Sequence, residues 1–139
     1  MNDVRENVPQ ELNWVDARAE CSLAEMFKSL ELGVHEDVER RVSLLKPEEQ
    51  LMFRAVSRAR RFSVVCESNE FEPRAVDFSC TGREITVSAG GEVKFTATIA
   101  LANSGRCKFI VNEKELEQWQ VRRMALEDLF FDPGSSVWK

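Results

Sequence analysis

Residues 62–111 alternate apolar and polar side chains with a period of two, and turn residues cut the alternation at intervals. Successive side chains of a strand point to opposite faces, whereas a helix needs apolar steps of three or four, so this stretch reads as sheet. Strands are expected at 62–66, 75–80, 84–88, 92–99 and 107–111. Thr81-Gly82, Gly90-Gly91 and Asn103-Ser104-Gly105 supply turns, and the glycine pair marks a two-residue hairpin.

Carried strand by strand, the alternation sends Val64, Cys66, Val76, Phe78, Cys80, Ile85, Val87, Val93, Phe95, Ala97, Ile99, Cys107, Phe109 and Val111 to one face. Asp77, Ser79, Glu84, Thr86, Ser88, Lys94, Thr96, Thr98 and Lys108 fall on the other, with Val65 and Ile110 as apolar exceptions. One face is therefore core and the other is solvated. The chain has nine Phe and no Tyr, and its strand phenylalanines point inward. A single-stranded nucleic-acid platform needs rings on the open face, so that reading is disfavoured.

The flanks carry helical periods. Ser22-Leu23-Ala24-Glu25 has the form of a capping box. Leu23, Phe27, Leu30, Val34, Val38, Val42 and Leu45 then form one stripe, so a helix kinked at Gly33 is expected. Residues 14–20 form either an extra turn or a separate short helix. Pro47, Glu48 and Glu49 suit a helix start, and Leu51, Met52, Ala55, Val56, Ala59 and Phe62 share an arc, which predicts a second helix folded back on the first. A last helix is expected from an Asn112 cap to about Phe130, stopped by residues 132–136.

These elements predict an α+β domain: an N-terminal helical hairpin, a four- to five-stranded antiparallel meander covered on one face by helices, and a C-terminal helix. With 139 residues there is room for one domain, placed at 14–131 between a flexible arm, 1–13, and a flexible tail, 132–139, unless Trp138 docks. Hydrophobic residues at 43% and charged residues at 31% exclude a disordered or collagen-like chain. Nineteen basic against 24 acidic residues, a net charge of -5, argue against a general nucleic-acid binder.

Residues 1–10 hold no apolar leader segment and no run approaches the roughly 20 residues of a membrane span, so a cytoplasmic protein without a membrane partner is expected. Cys21, Cys66, Cys80 and Cys107 are widely spaced without a C-x-x-C pattern, which predicts reduced thiols. Parity places the last three in the core. Cys21, beside the start of a helix, is the candidate reactive thiol.

No residue constellation demands a particular chemistry. His35 is the single histidine, which removes two-imidazole metal sites, and phosphate-loop, dinucleotide and nucleophile-elbow motifs are missing. No catalytic residue, cofactor or metal is assigned, and catalysis is disfavoured. Arg54, Arg58 and Arg61, read on one edge of the second helix, are candidates for gripping an anion or a partner. Intrahelical pairing of Arg40 with Glu36 and of Arg41 with Asp37 is expected to neutralise that neighbouring pair.

The last helix is apolar on two arcs, Leu116, Trp119, Leu126 and Phe130 on one and Val121, Met124, Ala125 and Leu129 on the other. It cannot bury both against one layer, so Trp119, Met124 and Leu129 are candidates for an interface. The leading expectation is a non-enzymatic interaction module with a protein partner or a second copy of itself. The alternatives are a pocket for a small anionic ligand between helices and sheet, using Arg54, Arg58 or His35, and local nucleic-acid binding through the Arg54 row.

Overall fold

In the computed structural model, which describes residues 11–135 and 138, Ser22 opens the long N-terminal helix: its Oγ accepts the Glu25 amide at 3.2 Å. Residues 1–10 of the expected arm lie outside the described residues, as do 136, 137 and 139 of the tail. A separate short helix precedes the cap, α1 (Trp14–Glu20), with Asn13 Oδ1 accepting the Asp16 amide. The long helix, α2 (Leu23–Ser43), runs unbroken through Gly33. At Gly33 this helix and the last one lie close, and a Cβ there would meet the side chains of Gln118 and Arg122 of the last helix, which would have to shift.

The expected second helix is instead a turn and a strand. Pro47–Glu49 forms one 3-10 turn, and Gln50 follows at φ 52°, a left-handed conformation that no α-helix continues. The chain then enters β1 (Leu51–Arg58), which pairs along its whole length with β2 (Arg61–Ser68). The helical arc omitted Phe53, whereas the strand buries it in the core, and a full ladder satisfies the backbone.

The remaining strands are β3 (Arg74–Thr81), β4 (Glu84–Ala89), β5 (Glu92–Leu101), β6 (Cys107–Val111) and β7 (Lys114–Leu116). Seven strands, two or three more than expected, form one antiparallel meander in chain order. Asn112 and Glu113 do not cap a helix. They adopt φ 52° and 67° and turn β6 into β7, so the C-terminal helix, α3 (Gln118–Phe131), starts six residues after Asn112. Glu117 is its cap, and its amide donates to Gln120 Oε1 at 2.8 Å.

Helices α2 and α3 cover one face of the sheet, which makes the α+β layer order. Their buried side chains, among them Leu30, Val34, Val121, Ala125 and Leu129, meet the inward row from Phe53 to Val111. Phe62 and Phe78 stack at 4.5 Å in the middle of that layer, and Phe27 tilts onto Phe62 at 5.1 Å. A bulge corrects the expected faces at one place. The β4–β5 register slips between Val87 and Ser88, so Val93 lies opposite Ser88 on the open face, largely exposed. Lys94 instead reaches Asp128 of α3 at 3.5 Å.

Trp138 is buried against the core, which ties that part of the expected tail to the domain. Among the described residues no helix is long and apolar enough to cross a membrane.

Candidate functional site

The C-terminal half of α2 and the length of α3 enclose a groove of about 430 Å³. Its floor is Leu126 and Phe130, both buried. Its walls keep large apolar side chains in solvent: Leu44 is 50% exposed, Trp119 54% and Phe131 67%. Four arginines and two acids complete the lining, so a chain of net charge -5 carries a local basic surplus here.

The arginines are held by contacts other than the intrahelical pairs expected. Asp37 accepts from Arg122 Nε at 2.7 Å across the two helices, and Arg122 Nη1 also donates to Gln118 Oε1. Arg41 is buried: its Nε donates to the Phe130 carbonyl at 2.9 Å, and Nη1 lies 3.7 Å from Glu49. Its guanidinium sits 5.2 Å from the Phe53 ring and 4.7 Å from the Phe131 ring. A cation placed on a carbonyl at the C-terminal end of α3 meets the negative end of the helix dipole. Arg123 pairs with Glu127 at 3.3 Å on the exposed rim, and Arg40 forms no ion pair among the described residues.

Of the interface candidates, Trp119 lines this groove. Met124 is 37% exposed but outside the lining, and Leu129 is fully buried in the core, so it is not available to a partner. The arc of Val121, Ala125 and Leu129 is the one that packs into the core over the sheet. Phe131 and Leu44, which the expected boundaries and stripe left out, are its other apolar walls.

Arg54, Arg58 and Arg61 are not on a helix. They stand on the outer face of β1 and β2, where they line a second cavity of about 430 Å³ with Val56, Ser63, Val65, Ala75 and Asp77. Cavities between helices and sheet exist, lined by Phe27, Glu31 and Cys80 and by Trp14, Arg18 and Ile99, but Arg54, Arg58 and His35 line neither of them. Arg54 pairs with exposed Glu67 at 3.3 Å, and Ser63 Oγ donates to Asp77 Oδ1 at 2.5 Å.

His35 stands on the helix-covered side of β1, against Ser57, whereas those arginines are on the outer face. Its Nε2 is 3.1 Å from Ser57 Oγ on β1, and Ser57 donates to Glu31. Glu31 approaches the same His35 nitrogen at 3.8 Å, and among the described residues no acid pairs with the opposite ring nitrogen, the contact by which a catalytic triad orients its histidine.

Cys21 is not a free thiol. It forms a disulfide with Cys107, which overturns both its candidate role and the expectation of four reduced cysteines. The bond joins the α1–α2 junction to β6, with Cα atoms 5.2 Å apart. Cys66 and Cys80 are free. Burial pushes the Cys66 thiol up to about 11 and raises that of Cys80, the nearby Arg60 charge opposing the latter, so neither is an activated nucleophile.

Among the described residues no group of three or more metal-ligating side chains converges. No known family matches this chain, and neither do the characterised proteins or solved structures with which it was compared.

Proposed function

We propose that this protein is a non-enzymatic interaction module that docks an apolar, acid-flanked segment of a partner protein in the α2–α3 groove. The observation that carries the reading is Trp119, exposed at one end of a groove whose other end holds exposed Leu44 and Phe131, above a floor of buried apolar side chains. Tryptophan and arginine dominate binding hot spots, and large apolar side chains framing a groove suit helix-in-groove recognition. The surplus of arginine over acid, with Arg40 unpaired among the described residues, supports carboxylates beside the anchor.

The Cys21–Cys107 bond supports an oxidising compartment as the place of this encounter, rather than the reducing cytoplasm read from the sequence.

Selection from a phage-displayed random peptide library tests the proposal. Enriched peptides are expected to share an aromatic or leucine anchor with neighbouring Asp or Glu. Trp119→Ala should weaken their binding at least tenfold, and Arg40→Glu with Arg123→Glu should reverse the charge preference. Enrichment that is unchanged on Trp119→Ala overturns the reading. A concentration-dependent dimer dispersed by Trp119→Glu, seen in sedimentation, overturns it in favour of a second copy.

A further inference from the structure

We propose a second binding site on the opposite side of the molecule: the open face of β1–β3 holds a small organic phosphate between Arg58 and Arg61. The register places these two arginines directly opposite one another at the end of the β1–β2 hairpin. Like charges so placed repel, and no carboxylate pairs with either among the described residues. A bound oxyanion converts that repulsion into attraction. Two facing guanidinium forks can engage different oxygens of one tetrahedral phosphoryl group, which a planar carboxylate offers less completely.

The rest of the cavity fits the non-ionic part of such a molecule. Val56, Val65 and Ala75 form a half-buried apolar bed beside the arginines, and the cavity of about 430 Å³ is of ligand size. Arg54 guards the far end, already held by Glu67. Asp77 stands within the lining, its Oδ1 engaged by Ser63, and presents a fixed negative charge. That charge, and the absence of any aromatic ring among the outward side chains of these three strands, favour one small phosphate monoester over a nucleic-acid strand.

Calorimetric titration and thermal shift with phenyl phosphate, inorganic phosphate and a 20-nucleotide single-stranded DNA test the site. Phenyl phosphate is expected to raise the melting temperature and to bind at least tenfold more tightly than inorganic phosphate. Arg58→Gln and Arg61→Gln should each reduce its binding at least tenfold. Arg58→Gln should also melt higher than the unaltered protein when no anion is present, because the repulsion is gone. Trp119→Ala, which disables the groove, should leave phenyl phosphate binding unchanged, so the two proposals fail separately. Equal phenyl phosphate binding by the unaltered protein and the Arg58→Gln/Arg61→Gln variant overturns the site. DNA binding that falls steeply with salt, without phenyl phosphate binding, overturns it in favour of nucleic acid.

Discussion

Removing the Cys21–Cys107 bond is the perturbation whose size follows most directly from the chain. The two cysteines are 86 residues apart, so the cross-link closes most of the sheet into one loop. The chain-entropy relation for a loop of that length gives about 15 cal/mol/K, or about 4.6 kcal/mol at 25 °C. Cys21 is also buried, so Cys21→Ala/Cys107→Ala sacrifices some packing as well. With a urea slope of about 2 kcal/mol/M, the unfolding midpoint of the double variant should fall by roughly 2 M. Circular dichroism in urea measures it, and reduction of the unaltered protein should reproduce the shift. Thiol counting supplies the companion test. In denaturant without reductant a maleimide should label two cysteines, Cys66 and Cys80, and after reduction all four. Four labelled thiols before reduction would refute the bond itself. An intact bond whose loss leaves the midpoint unchanged would refute the entropic reasoning.

Other perturbations have expected directions. Phe62→Ala removes a fully buried ring stacked on Phe78 and should cost about 3–5 kcal/mol in the same urea assay. Glu113 occupies φ 67° in the β6–β7 turn, so Glu113→Gly should stabilise by up to about 1 kcal/mol, and a loss of stability would contradict that turn geometry. Arg41→Met keeps bulk but strips the Phe130 carbonyl of its donor and should cost roughly 1–3 kcal/mol. The hydrogen bond from Lys108 holds the Glu117 carboxyl below the usual carboxylate range, with the Arg106 charge adding to it. A depressed folded value stabilises above the ordinary carboxylate range and is lost as pH falls through the folded value, so Glu117→Gln should flatten the acid limb of the stability profile.

The sheet was legible because each central strand, β2 to β6, carries its own period-two signal and a turn signal beside it. β1 was not, since Leu51, Met52, Ala55, Val56 and Ala59 fit a helical arc. Phe53, off that arc and buried, was the one residue speaking for a strand. The arginine cluster was visible as composition, but its geometry depends on the β1–β2 register, which a helical reading cannot supply. The groove was half visible. Surplus apolar surface on the last helix pointed to Trp119, whereas Leu44 and Phe131 join only once both helix ends are placed. The disulfide left one trace: parity sent Cys107 to the helix-covered face, where the α1–α2 junction also lies. Sequence separation of that size carries no pairing signal of its own.

The meander order has a kinetic consequence. Every strand pairs with its immediate neighbour in the chain, so each hairpin can close over a short loop and the sheet can zip from several starting points. Distant residues are joined by the helical layer that flanks the sheet in sequence: α2 and α3 pack on the strands and on each other, and the Cys21–Cys107 bond ties the α1–α2 junction to β6. A nascent chain can therefore complete β1 to β5 before either Cys107 or α3 has been synthesised, and oxidation falls late, after the open sheet already exists. During that interval α2 already covers Phe62, whereas Phe53 still lacks Phe130, so the arrival of α3 completes the cover of the inward face and ends the chain's exposure to aggregation.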